Sequence, residues 1–347
     1  MANPYNGAFH RYKSEILQLL GEGATVWETA KSISIKYGCD PSNLRKSILR
    51  HVPESGNYEN VRSQFVTPAK PFKSTAGASF AALKTELGLH GNEFGLPDPL
   101  DDSVETIKLP VGCNNILFIG DLQIPFHDIP SITCALKYGQ ANKVNTIFLN
   151  GDIVDFYAIS SYEKDKRFRD LANEIEMTRE FIRILRQIFP TAHIYYRDGN
   201  HEERWARYIR QNAKEFEGIQ ELEFASMFHL EKYNVHHITR RAIVQAGKLT
   251  TLHAHEVRGV GGVFPARTLF LKTMTSSICG DCHRSSEYTT KTIDDRTHTC
   301  WTVGCLSVLR PHYSPGAQYN HGFAHIQTTD DGDFHVKNFR ILDGRII

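Results

Sequence analysis

From Asn114 onward, short apolar runs alternate with longer amphipathic stretches. Ile116-Leu117-Phe118-Ile119, Thr146-Ile147-Phe148-Leu149 and Ala192 to Tyr196 have the length and β-branched or aromatic content of buried strands. Between them, residues 130–141 and 171–188 repeat apolar positions at helical spacing, as with Ile175, Phe181, Ile182 and Leu185. A β-α-β-α-β order predicts a largely parallel sheet with helices outside it. After Val235 the pattern turns strand-rich: 242–244, 249–252, 276–279, 299–303, 323–327 and 334–339. The expected fold class is α/β, a two-sheet β-sandwich flanked by helices, with a small all-α domain before it.

That leading domain is read from residues 1–55. Ile16, Leu17, Leu19 and Leu20 form a helical stripe that Gly21 and Gly23 stop. Thr25 and Glu28 match a capping box opening a second helix, with Val26, Ala30 and Ile33 on one face. Asp40 and Pro41 start a third, anchored by Leu44 and Ile48. Its polar faces carry Asn43, Arg45 and Lys46, residue types that reach bases and phosphates. Two helices, a turn and a basic helix match the helix-turn-helix order, and a plain helical docking module fits the same pattern. Residues 56–112 are punctuated by Pro and Gly and read as a linker with one short helix around Phe80 to Leu87. The third segment, 113–347, is the α/β domain.

Composition sets limits. With 347 residues and 41% hydrophobic content, the chain can bury a sizeable core beside an appendage. A net charge of +1 gives no global basic field, so any nucleic-acid contact must be local. The absence of a long apolar run or a signal-peptide core points to a cytoplasmic protein with no membrane partner. Seven cysteines, an odd count, point to reduced thiols rather than a disulfide framework.

Five short polar motifs fall where apolar runs end. They are Gly120-Asp121-Leu122-Gln123, Gly151-Asp152-Ile153-Val154-Asp155, Gly199-Asn200-His201-Glu202, Leu252-His253-Ala254-His255 and Gly280-Asp281-Cys282-His283. In open α/β sheets ligands gather outside the carboxyl ends of strands. Two carboxylates brought together there, Asp121 and Asp152, need a cation between them. The set therefore predicts a metal centre and metal-assisted hydrolysis.

This ordered set resembles the calcineurin-like metallophosphoesterase superfamily over about 114–347, most specifically at Gly151 to Asp155 and Gly199 to Glu202. The looser likeness is to phage and prophage phosphoesterases with a helix-turn-helix-like unit. The resemblance implies two divalent ions activating a bridging water, with Asp152 shared between them. Asp121 and His283 would hold the first ion, and Asn200 and His253 the second. His201 would stabilise the transferring phosphoryl group or protonate the leaving oxygen, held by a carboxylate such as Asp155 or Glu202. Gln123 stands where the family's first motif has His, and Asp281 where its last motif has the first His. Oxygen in place of imidazole moves the expected metal toward Mn²⁺, with Mg²⁺, Fe or Zn²⁺ after it.

Other candidates are weighed beside these. His127 is expected to be a strand-end residue rather than a substitute ligand. His255 and Glu256 are expected to flank the site, and His236 and His237 to be structural. Arg204, Arg207 and Arg210 share a predicted helix face behind the third motif, and Arg258 sits in a Gly-rich loop; phosphate forks suit such residues. The expected function is phosphate-ester hydrolysis in DNA or nucleotides. Two alternatives stand beside it: a protein or small-molecule phosphatase, and a DNA-binding regulator whose phosphoesterase domain is degenerate at Gln123 and Asp281.

Overall fold

A computed structural model describes residues 11–22, 24, 26–38, 40–52, 106–239, 242–312 and 314–347. Two compact units divide the chain after Leu100.

In the first unit, α1 (Lys13–Gly21), α2 (Val26–Tyr37) and α3 (Pro41–His51) enclose Ile16, Leu20, Ala30, Ile33, Leu44 and Ile48. These are the stripe residues of the sequence pattern, with Leu17, Leu19 and Val26 half-buried beside them. Gly21 falls inside α1 rather than after it. Gly38, at φ 69°, ends α2. Asp40 caps α3, its Oδ1 accepting from the Asn43 backbone N–H at 2.7 Å, and Pro41 follows at the first turn. Such a cap satisfies an N–H that the helix cannot. Thr25 of the expected capping box, and the expected helix around Phe80 to Leu87, lie outside the described residues.

The second unit is two mixed sheets with helices outside. The larger contains β2 (Asn115–Ile119), β3 (Thr146–Asn150), β4 (His193–Arg197), β5 (Val235–Ile238), β11 (His321–Thr328), β12 (Phe334–Leu342) and β13 (Arg345–Ile346). Its order is β13-β12-β11-β2-β3-β4-β5, with β2 to β5 parallel. α4 (Ile129–Ala141) and α5 (Leu171–Ile188) form the crossovers. The smaller sheet contains β1 (Thr106–Lys108), β6 (Ile243–Ala246), β7 (Leu249–Leu252), β8 (Ser277–Cys279), β9 (Ser286–Lys291) and β10 (Thr297–Thr302). It runs β1-β6-β7-β8-β10-β9, with α7 (Pro265–Thr273) leading into β8.

Strand alternation builds two cores. On β2, Ile116 and Phe118 join Phe148, Val244, Leu249 and Ile278 between the sheets. Leu117 and Ile119 face the other way, against Ile132, Leu136, Ile182 and Leu185 of α4 and α5. Each such fully buried side chain contributes about 1.5–3 kcal/mol. Two-sided burial makes these parallel strands read as continuous apolar runs.

One expectation needs correcting. Thr106–Lys108, inside the stretch read as linker, pairs in parallel with Ile243–Gln245 and starts the smaller sheet. All three residues are exposed, so they lack the apolar signature of a strand. Strands β9 and β13 and helix α7 carried no clear sequence signal either.

Candidate metal centre

The first, second and fifth motifs leave their strands by turns that only a few residue types tolerate. Asp121, Gln123, Asp152, Asp281 and His283 all take left-handed backbone, with φ between 50° and 61°. For a non-glycine residue that costs roughly 1–2 kcal/mol each. Strain of this kind persists where the surrounding structure fixes it, and it clusters at functional sites. Gly151 takes φ 82°, and a side chain there would strike Gly199. At Gly199, a Cβ would run into the Asp152 carboxylate and stand 2.7 Å from His253 Nε2. The two glycines therefore let three motifs converge.

The converging groups form two linked sets. Asp121 Oδ1 lies 3.2 Å from His283 Nε2, and the Asp281 backbone N–H donates to the Asp121 carboxylate at 3.0 Å. Gln123 Nε2 is 3.3 Å from the same His283 nitrogen. In the second set, Asp152 Oδ1 is 3.1 Å from His253 Nε2 and accepts from the His201 backbone N–H at 2.9 Å. Asn200 Oδ1 is buried without a hydrogen-bond partner. Asp121, Asp152 and His253 together offer ligand atoms within 4.8 Å of one another, the one such grouping among the described residues.

The electrostatics of this arrangement call for positive charge. Burial, then Glu202, Asp121 and Asp281, push the Asp152 carboxyl well above its usual range. Burial and Asp121 raise Asp281 to about 6. Burial keeps the His253 ring far below its usual value, with His255 and Arg197 adding to the effect. At His283 burial opposes the proton, but the Asp121 charge and hydrogen bond outweigh it and raise the ring well above its usual value. Buried carboxylates beside imidazoles and a partnerless amide oxygen are a donor set that fits a hard or borderline divalent ion.

Further residues hold this set in place. Glu202, buried, accepts from Asp152 N, Ile153 N, Gly199 N and Tyr196 Oη at 2.7–2.9 Å. Both its oxygens are spent on the turns that carry Asp152 and Asn200, so the geometry makes it a scaffold rather than a partner of His201. Two carboxylates flank the His201 ring: Asp152 Oδ2 is 3.5 Å from Nε2, and Asp155 Oδ2 is 3.8 Å from Nδ1. Arg204 Nη1 donates to the Asp155 main-chain O and Oδ1, and Nη2 lies 2.8 Å from His201 Nε2. Burial, then Arg204, holds His201 well below its usual value, so its ring is neutral. Burial outweighs Arg204 at Asp155 and raises that carboxyl to about 6.

The three predicted arginines of α6 (Glu202–Asn212) do not act as one face. Arg204 points into the site. Arg207 is half-exposed, 3.9 Å from Glu203. Arg210 lines a cavity of about 610 Å³ behind the helix, with Trp205, Phe216, Phe224 and Asp198. Arg258 is exposed on its loop. In the first unit, Arg45 and Lys46 are exposed and Asn43 is half-buried. His127 meets Ser307 through a backbone bridge, His237 pairs with Asp198 at 2.6 Å, and His236 stacks on Tyr195. Among the described residues, six cysteines are free thiols, from Cys113 to Cys305.

Sequence reasoning missed the buried brace across the sheets. Arg197, 1% exposed, donates to Asn150 Oδ1, Ala242 O and Thr251 O. Asn150 in turn donates to Leu252 O, and Glu256 accepts from His253 N and Ala254 N. Arg197 Nε lies 3.9 Å from Glu256. These bonds tie the ends of β3, β4 and β7 together directly beneath His253. The signal was a lone Arg ending an apolar strand. His255 was expected to flank; its ring nitrogens are buried, 3.3 Å from Glu203 and 3.7 Å from Glu256, and it packs edge-on to His253.

The family model for calcineurin-like phosphoesterases matches residues 115–269. It is similar to the Gene 54 protein of Mycobacterium phage L5, at 25% identity over 182 residues, 49% of this chain and 69% of that protein. Among solved structures, it is similar to Vacuolar Protein Sorting 29 from Cryptosporidium parvum, with TM-score 0.38 and 14% identity over 67% of this chain and 94% of that one. It is also similar to a conserved protein, described as a predicted phosphoesterase, from Streptococcus pneumoniae TIGR4. That match has TM-score 0.28 and 13% identity, over 66% of this chain and 98% of the other.

Proposed function

We propose that the chain is a metal-dependent phosphoesterase acting on phosphate esters of DNA or nucleotides. The observation that carries this reading is the buried convergence of Asp121, Asp152 and His253. Two divalent ions are proposed, Mn²⁺ first. Asp121, Gln123, Asp281 and His283 would hold one, Asn200 and His253 the other, and Asp152 both. Bound there, they supply the charge that orients an ester phosphate and acidifies a water.

The chain's own residues do the rest. Glu202 fixes both ligand turns, and the Arg197 brace fixes His253. With Arg204 donating to His201 Nε2, the ring proton sits on Nδ1, toward Asp155. Proton delivery from Nε2 to a leaving oxygen therefore requires the guanidinium to swing from the ring onto a phosphoryl oxygen, and Nε2 to take up a proton from water before it gives one to the leaving oxygen. Arg204 suits that role, since its fork matches phosphate geometry. Arg207 and Arg258 are proposed to meet flanking phosphates, and Asn43, Arg45 and Lys46 to contact DNA.

The test is hydrolysis of bis-p-nitrophenyl phosphate and p-nitrophenyl phosphate by metal-stripped protein given Mn²⁺, Mg²⁺ or Zn²⁺. Metal-dependent turnover that is lost in Asp152→Ala supports the reading. Preference for the monoester would favour a phosphatase. A folded protein with no turnover on either ester, in any metal, would favour the DNA-binding regulator whose centre Gln123 and Asp281 have disabled.

A further inference from the structure

The stretch between Asp155 and α5 supplies none of the proposed ligands, yet it is built with care. Residues 157–170 run through two 3₁₀ turns, Tyr157–Ile159 and Lys166–Phe168. Phe126, Tyr157 and Phe168 pack edge to face, with centroids 5.4–6.3 Å apart. Tyr157 Oη accepts from Asp165 N at 2.7 Å, and Glu174 accepts from Tyr157 N and Ala158 N. Phe126 follows Gln123 by three positions, so the segment is pinned to the rim of the metal centre.

Its outward groups are basic and aromatic. Tyr162 is 74% exposed and Phe168 45%. Lys166 and Arg169 are exposed beside them. A second loop borders the same rim: Val308 N donates to Phe126 O, Arg310 is exposed, and His312 acts electrostatically on Asp165.

The acids of the rim are mostly committed inward. Asp165 pairs with Arg167 and caps its own turn. Asp170 caps α5 through Asn173 N, and Asp128 caps α4 through Ser131 N. Glu163 is the remaining outward acid. Lys166 and Arg310 have no ion-pair partner among the described residues. Exposed rings alternating with unpaired bases suit a strand whose bases are unstacked and whose phosphates run alongside.

We propose that this rim is a track for single-stranded nucleic acid, with a base stacking on the Tyr162 ring, and phosphates on Lys166, Arg169 and Arg310. It deepens the phosphoesterase reading by naming a polynucleotide strand as the substrate class, and rests on that reading only for where the strand is cut. Bases in a duplex present no free faces, so the track selects unpaired strands.

The experiment uses the full chain. A fluorescent single-stranded oligonucleotide is titrated in EDTA, where no cleavage occurs, with wild type, Tyr162→Ala and the double variant Lys166→Glu/Arg310→Glu. Turnover of the oligonucleotide and of bis-p-nitrophenyl phosphate, too short to reach the rim, is then compared in metal. Tyr162→Ala is expected to weaken strand binding by about tenfold, within the range for one lost stacking contact. The double variant is expected to lower the salt slope by about 0.7 per lost phosphate contact. Turnover of the oligonucleotide should fall relative to the small diester in both. Unchanged strand affinity in both variants, or wild-type binding restricted to duplex, would overturn the track. Loss of strand binding in the variants, with no turnover of any ester by wild type, would uphold the track and defeat the phosphoesterase reading.

Discussion

The N-terminal helices and the ligand turns of the second unit treat the same local rules in opposite ways. In α1 to α3, apolar stripes face inward, Asp40 caps a helix start, Gly38 ends a helix at positive φ, and Arg45 and Lys46 stay in water. At the strand ends, five non-glycine residues sit at positive φ, carboxylates are buried beside one another, and a buried amide oxygen has no partner. Stability alone would not select the second arrangement. Rule-keeping marks a unit that presents a surface, and concentrated rule-breaking marks the place where chemistry is expected.

The largest effect is expected where steric room is smallest. Gly199→Ala drives a methyl into Asp152 and His253, and should bring metal-dependent turnover to background, as Asp152→Asn should. Gly261→Ala, with open space around it, should leave turnover at the wild-type level. Equal turnover in the two glycine variants would show that the convergence is not needed. Next, His201→Ala should lower kcat by about 10²–10⁴-fold, the range for a general acid, with metal affinity retained. If kcat is unchanged, His201 is structural.

The brace comes third. Arg197→Met leaves Glu256, Asn150 Oδ1 and two carbonyls buried without their partner, and should cost about 3–5 kcal/mol in urea unfolding. A loss below about 1 kcal/mol, the size of an ordinary hydrogen bond, would remove the brace from the account.

A smaller, pH-dependent effect should come from Asp155. Its carboxyl is raised to about 6 by burial, so the anion that holds Arg204 forms only above that pH. Turnover should therefore fall as pH drops through about 6, and Asp155→Asn should lack that acid limb. The smallest effect belongs to the rule-keeping unit: Asp40→Ala should cost that unit about 1 kcal/mol through the lost cap, without changing ester turnover.

How far the sequence could be read follows the same division. The strands β2, β3 and β4 and helices α4 and α5 were legible because burial on two sides, or on one stripe, writes itself as an apolar pattern. The motif order was legible because each ligand follows its strand directly. β1 was not, since three exposed residues at a sheet edge leave no pattern, and β9 alternates half-buried with exposed polar residues. Arg204's contact with His201, the four donors on Glu202 and the Arg197 brace were not legible either. They depend on which loops meet in space, and helical spacing of the arginines said only that they share part of a surface.

The central claim is that the strained turns exist to hold metal. Isothermal titration of the metal-stripped 347-residue chain with Mn²⁺ tests it most directly, with Asp152→Asn alongside. The account predicts two ions bound per wild-type chain and loss of that binding in the variant. A folded wild type that binds no ion, or a variant that binds as wild type does, would contradict it.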